Sequence, residues 1–311
     1  MTKKAKSYKK IAIDYALDVT EGRKKAGKEV VEGCHRFLDD LRREDLELRT
    51  HAPDLVIGII EKLMVHKQGE DMRGRSLVNK PLILQPWQIF IVYNLVGFYF
   101  KGTNERRYKE AFIFVPRKNG KTLFVAGLAW GLAILERASG SKIYIVANSQ
   151  TQSQQSFEDI LYMLSVRGLV EKFRIRNNNA EHSMSYEFKD ASGRPCGSIY
   201  IEALASNPDS QDSFNCNVAI ADEIHAFRKA SQYNRFKEAM KAYTNKLMIG
   251  ITTAGDNMNS FCYRRLDYAV KILNGTVKDD SLFCFVSRAD QNENGEVDYE
   301  TICYRVIIIV C

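Results

Sequence analysis

No stretch of this chain approaches the roughly 20 apolar residues that a membrane span needs, and its Lys-rich N-terminus lacks the apolar segment of a secretory leader. Neither insertion nor secretion is expected, and a cytoplasmic location is. The seven cysteines contain no C-x-x-C pair. An odd, scattered set running from Cys34 to Cys311 suits neither a disulfide framework nor a zinc site and reads as buried or free thiols. Charge of one sign is in only moderate excess: 45 Lys and Arg against 38 Asp and Glu leave +7, which suits a polyanionic partner without requiring one. What is present is a chain of 311 residues, 45% hydrophobic and 27% charged. That is enough for one large or two ordinary domains with a proper core.

The rest of the chain is organised around Ala111 to Thr122, Ala-Phe-Ile-Phe-Val-Pro-Arg-Lys-Asn-Gly-Lys-Thr. Ala111 to Val115 are apolar and partly aromatic, as a buried parallel strand requires, and a helix-forming apolar run follows Gly120-Lys121-Thr122 at once. A tight loop opening a helix N-terminus supplies backbone N–H donors, a mobile cation and a hydroxyl for a metal, which is what nucleotide phosphates demand. The match to G-x-x-x-x-G-K-[ST] is incomplete, because Val115 stands where the first glycine belongs. Taken alone, this degenerate Walker A is also compatible with a plain strand-to-helix turn.

A second signal lies about 100 residues later, where the apolar run Val218-Ala219-Ile220-Ala221 ends in Asp222-Glu223. Adjacent carboxylates at a strand's end are costly unless a cation needs them. In a Walker B element the first acid orients the metal's water shell and the second acts as general base on the attacking water. A solvated loop would not explain acids ending an apolar run downstream of a Gly-Lys-Thr turn. A third strand, Leu247 to Ile251, ends in Thr252-Thr253-Ala254-Gly255. Its hydroxyls would face the same end of a parallel sheet and could sense a γ-phosphate through water, although a Thr-rich strand end is by itself only a turn.

The remaining stretches supply the frame. Residues 1–29 are rich in lysine and arginine, a nucleic-acid contact or, in preference, a solvated arm. Val30, Val31, Cys34, Phe37, Leu38 and Leu41 predict an amphipathic helix, and Pro53-Asp54 open another that runs to about Gly69. Pro86 is placed near the start of a helix, Trp87 suits core packing, and the Gln88 amide, donor and acceptor at once, matches the edge of adenine. The Ala, Gly and Leu of 123–135 suit a closely packed helix, Ile143 to Ala147 a second buried strand, and Phe157, Ile160 and Leu164 the helix after it. Residues 174–202 read as more irregular, with a strand at Ile199 to Ile201.

In this order, Pro86-Trp87-Gln88, Arg117-Lys118-Asn119-Gly120-Lys121-Thr122, Asp222-Glu223-Ile224-His225 and Thr252-Thr253-Ala254 resemble the large terminase subunit of tailed bacteriophages. Cys34 to Leu38, Arg106-Arg107-Tyr108 and Ala147 to Gln150 extend the similarity over about residues 10–290. The resemblance also accounts for Val115, since the family's loop commonly lacks the first glycine. It implies an ATPase that docks on the capsid portal in the host cytoplasm and drives double-stranded DNA inward as a ring of subunits, with a terminase small subunit as partner. ATP and Mg²⁺ would be its cofactors. Gln88 would contact adenine, and the loop Arg117, Lys118, Asn119, Gly120, Lys121 and Thr122 would hold the phosphates, with Lys121 on the β/γ-phosphates. Thr122 and Asp222 would hold the metal, Glu223 the water, and Arg117 would act as phosphate sensor or finger in cis. Thr252 and Thr253 would couple hydrolysis to movement.

The fold expected is an α/β sheet of the P-loop NTPase (ASCE) type with flanking helices. A helical, lid-like region occupies 1–75, the ATPase domain 76–285, and a linker with a truncated end 286–311. Family members normally continue into a nuclease domain for which this chain has no room, so no nuclease residue is expected here. The alternatives are a superfamily 1 or 2 nucleic-acid-dependent ATPase and an inactive prophage remnant.

Overall fold

The computed structural model describes residues 7–71, 73–206, 215–255, 257–291, 294, 296–298 and 301. In the lysine-rich N-terminus, Ala12, Tyr15, Ala16 and Val19 recur at helical spacing and form the buried face of α1 (Tyr8–Thr20), capped where the Ser7 side chain accepts from the Lys10 N–H. The solvated-arm expectation is thus corrected for this segment, whose Lys9 and Lys10 lie on the exposed face of a packed helix. Residues 1–6 lie outside the described residues.

Helix α2 (Lys28–Asp40) buries Val30, Cys34 and Phe37, as their spacing predicts. After β1 (Leu46–Leu48), α3 (His51–Leu63) carries Pro53 and Asp54 near its start but stops at Leu63, short of Gly69. Met64 turns extended, its carbonyl accepts from the Leu82 N–H at 3.0 Å, and the Lys80 carbonyl accepts from the His66 N–H at 3.0 Å. Backbone pairing across 64–82 therefore replaces further helix. Helix α4 (Pro86–Gly97) begins at Pro86 and is buried from Trp87 onward. It leads into β2 (Phe98–Phe100), which pairs antiparallel with β1.

From there strands and helices alternate: β3 (Glu110–Phe114), α5 (Lys121–Leu135), β4 (Ser141–Ala147), α6 (Gln150–Val166), then β5 (Arg174–Asn177), β6 (His182–Lys189) and β7 (Pro195–Ala205). They continue as β8 (Val218–Asp222), α7 (Ser231–Ala239), β9 (Leu247–Thr252), α8 (Phe261–Leu273) and β10 (Leu282–Val286). Eight of these strands form one sheet in the order β10-β3-β9-β8-β4-β7-β6-β5. It is parallel from β10 to β7 and antiparallel at β6 and β5. Strand β9 lies between β3 and β8, the added strand that marks the ASCE type of P-loop fold.

Alternate residues of the central strands feed two cores. Ile113, Ile145, Ile220 and Ile249 face the layer that holds α1 to α6, while Phe112, Val146, Ala221 and Met248 face α7 and α8. Burial on both faces explains why these strands read as unbroken apolar runs. The segment 174–202 is not irregular. It is the antiparallel edge β5-β6-β7: β5 has no buried residue, β6 is buried only at His182 to Met184, and β7 alternates buried Ile199 and Ile201 with half-buried Tyr200 and Glu202, so these strands lack that run. Sequence reading assigns no strand to Leu282–Val286, yet β10 is wholly buried beside β3.

The small residues of α5 pack as expected, but against another helix as well as the sheet. A methyl group added at Gly131 would lie 2.8 Å from Val56 Cγ1 on α3, and one at Gly127 would lie 3.2 Å from Ile60 Cγ2. Gly131→Ala gains about 1 kcal/mol of helix propensity against about 1–3 kcal/mol of overpacking. We expect a lowered urea midpoint with unchanged slope, and a raised midpoint would show that α3 and α5 separate without cost.

Past the sheet, the Glu29 carboxylate accepts from Arg288 Nε at 3.0 Å and Asp290 Oδ1 accepts from the Lys28 N–H at 2.9 Å. A short pair, β11 (Asp290–Gln291) with β12 (Val297–Asp298), follows. Of the linker and truncated end expected at 286–311, residues 292, 293, 295, 299, 300 and 302–311 lie outside the described residues. Among the described residues, no helix is long and apolar enough to cross a membrane.

Candidate active site

The Val115 N–H donates to the Thr252 carbonyl at 3.0 Å and its side chain is buried, so the chain stays in the sheet through the position of the missing glycine. The turn begins only at Pro116, and a glycine at 115 has no conformational task. Lys118 and Gly120 both take left-handed backbone conformations, with φ of 66° each, and Asn119 Nδ2 donates to the Pro116 carbonyl at 2.9 Å to close the loop. At Gly120 it is this φ that favours glycine, since a methyl there would meet nothing within 4 Å. Helix α5 then opens at Lys121, with the unpaired N–H groups of its first turn at the loop.

Strand β8 delivers Asp222 to the same end of the sheet. Lys121 Nζ contacts Asp222 Oδ1 and lies 3.0 Å from Glu223 Oε1, which closes the distance between two motifs 101 residues apart. Glu223 follows in a left-handed conformation, φ 54°, costly for a side chain of its kind and sustained by the contacts around it. Its Oε2 lies 3.0 Å from His225 Nδ1 and 3.5 Å from Thr253 Oγ1. The Thr252 hydroxyl accepts from the His225 N–H at 3.2 Å, lies 3.0 Å from His225 Nδ1, and donates to the Thr253 carbonyl at 3.0 Å.

The two acids differ in character. Burial raises the Asp222 carboxyl above its ordinary range, and Lys121 offsets this only in part. Burial would raise Glu223 too, but the His225 hydrogen bond and the Lys121 charge outweigh it and hold that carboxyl at about 2.

These groups border a cavity of about 660 Å³, whose walls include Gln88, the loop from Pro116 to Leu123, Glu223, His225 and Thr253, a size suited to a small ligand. Of the residues singled out in the sequence, Gln88, Arg117, Lys118, Asn119, Gly120, Lys121, Thr122, Glu223 and Thr253 meet at this cavity. Asp222 is reached through Lys121, and Thr252 is fully buried behind His225. Gln88 uses Oε1 to accept from the Gln85 N–H at 2.9 Å, capping α4, so its amide is partly committed to the helix.

A family model for the terminase large subunit, ATPase domain, matches residues 86–271. This chain belongs to the terminase large subunit family. Its fold is similar to that of the HK97 bacteriophage large terminase, with a TM-score of 0.60, 22% identity, and coverage of 79% of this chain and 45% of that one. Protein YmfN of Escherichia coli (strain K12) is 31% identical over 83 residues, 27% of this chain and 18% of YmfN. The chain thus spans less than half the length of either relative.

In this terminase ATPase domain the cavity has a second wall that sequence reading does not single out. His66, on the extended segment after α3, and Gln152 and Asp159, on α6, also line it. Burial lifts the Asp159 carboxyl to about 6, with the Lys67 charge opposing. No motif marks these residues, because they come together only when the 64–82 segment docks on α6, through Lys67 with Glu158 and Asn79 with Tyr162. His225 was visible within the Asp-Glu-Ile-His run, but nothing in the sequence shows its ring bonded to both Glu223 and Thr252.

Proposed function

We propose that this chain is the ATP-hydrolysing motor of a phage terminase, driving double-stranded DNA into the procapsid. It would work in the host cytoplasm, in a ring of subunits on the portal, with the terminase small subunit as a further partner. The observation that carries this is Lys121 seated on Asp222 and Glu223 at a cavity of nucleotide size. A lone ammonium held by two carboxylates is a stored cation, and triphosphate oxygens offer it stronger anionic partners.

When the triphosphate enters, Lys121 transfers from the carboxylates to the β- and γ-phosphates, and the N–H groups at the start of α5 face the same oxygens. Its departure removes one of the two attractions that depress Glu223, returning basicity to the carboxylate when a base is needed. A water then attacks the γ-phosphorus, its proton passes to Glu223, and the bond to the bridging oxygen breaks to leave ADP and phosphate. The Thr122 hydroxyl and the Asp222 carboxylate fit Mg²⁺. They are hard oxygen donors beside the phosphate site, two in number, and this ion takes its remaining ligands from phosphates and water. When bound, it would neutralise charge on the phosphate oxygens.

The test is ATPase activity with and without double-stranded DNA and portal protein, run beside Lys121→Ala. Wild type should hydrolyse ATP faster with its partners present. Lys121→Ala should weaken ATP binding by about 10- to 100-fold, the scale of a lost charge-assisted hydrogen bond of ~1.5–3 kcal/mol. Unchanged affinity would remove Lys121 from the phosphate site, and a wild type inert under every condition would end the motor reading.

A further inference from the structure

The neighbours of His225 determine its protonation pattern. Thr252 already spends its hydroxyl proton on the Thr253 carbonyl at 3.0 Å, so towards the ring, 3.0 Å away, its oxygen can only accept. Glu223 Oε2, also 3.0 Å from the ring nitrogen, belongs to an ionised carboxylate and likewise only accepts. Two acceptors at one nitrogen require a proton on Nδ1. Nε2 makes no hydrogen bond among the described residues.

The ring is also fixed from behind. A methyl group added at Gly255 would lie 2.9 Å from His225 Cβ and 3.6 Å from its Cδ2, so the glycine leaves the room the imidazole occupies. His225 is therefore bracketed by the end of β9, the Gly255 backbone and the Glu223 carboxylate. The backbone of Glu223, with φ 54°, holds the base in a conformation that does not persist without such support.

We propose that His225 is the positioning residue of the hydrolytic base: its Nδ1–H anchors Glu223 Oε2 to the end of β9, leaving Oε1 as the oxygen that Lys121 vacates and that meets the water. This deepens the ATP-hydrolysis reading and rests on it. It divides the carboxylate between a fixed oxygen and a working one, and it makes Thr252 a support of the base, because the buried hydroxyl reaches the chemistry only through the ring.

Two measurements test it. The first is the tautomer of His225, read from long-range ¹H–¹⁵N correlations of the imidazole in the nucleotide-free protein at mildly alkaline pH. The Nδ1–H form is expected, and an Nε2–H ring would overturn the anchor whether or not the protein hydrolyses ATP. The second is turnover. His225→Ala should lower kcat about 10- to 100-fold, part of the ~10²–10⁴ that a positioned base contributes, with ATP affinity retained. His225→Asn sets an amide N–H at the Nδ1 position and should recover most of the loss, whereas His225→Gln sets it where Nε2 was and should not. Gly255→Ala, which pushes the ring without altering it, should reproduce the kcat defect. Wild-type kcat in His225→Ala, or equal losses in the Asn and Gln variants, would overturn the proposal. A wild type without turnover would instead fail the ATPase reading, and the tautomer would still decide the contact.

Discussion

Glu223→Gln is expected to bind ATP at least as tightly as wild type and to lose about 10²–10⁴ of its turnover. The amide keeps the size and the left-handed position of the side chain but cannot take the water's proton. Affinity is not expected to fall, because Lys121 loses one of its two anionic partners and is freer to move to the phosphates. Acid behaviour should change as well. The carboxyl held at about 2 lies below the ordinary glutamate range of about 4.3, so its contacts stabilise the fold above that range and are lost as pH falls through about 2. The amide has no such loss, so its melting temperature should fall less steeply with acid than that of wild type. Binding of a fluorescent nucleotide, phosphate release and melting curves across pH check all three. Equal loss of ATP affinity in Glu223→Gln and Lys121→Ala would contradict the separate roles given to base and cation.

Lys121, Asp222 and Glu223 were legible because each motif is local: an apolar strand followed by the residue types its open end requires. Their meeting was legible too, since parallel strands carry their C-terminal ends to one side. What lay hidden is what depends on packing between distant elements. The buried face of α1 follows a helical spacing, but lysines on its outer side give the segment the composition of a tail. Strands β6 and β7 alternate polar and apolar residues because one face is only partly covered, so they lack the continuous run that gave away β4 and β8. His66, Gln152 and Asp159 line the cavity by virtue of backbone pairing and helix docking that no short window contains. Val115 is the opposite case, a departure from pattern that the structure makes harmless, since its N–H remains in the sheet and the turn starts one residue later.

Arg117→Lys is expected to cut turnover by about 10³-fold or more, approaching the ~10³–10⁵ that an arginine finger supplies, while ATP affinity and melting temperature stay close to wild type. Arg117 lies on the cavity wall and is exposed, and among the described residues it makes no ion pair or hydrogen bond. Had it held the loop by pairing with a carboxylate, a partner would be visible and the substitution would act on stability. The loop is closed instead by Asn119 on the Pro116 carbonyl, which leaves the guanidinium free for an anion. Its planar fork matches two phosphate oxygens at once, a geometry that a lysine's single ammonium cannot reproduce. The gain grows as those oxygens become more negative in the transition state, so the loss should appear in kcat and not in binding. Steady-state kinetics, nucleotide titration and a melting curve on this one variant decide it. Near-wild-type turnover with a lowered melting temperature would mean that Arg117 shapes the loop and takes no part in the chemistry.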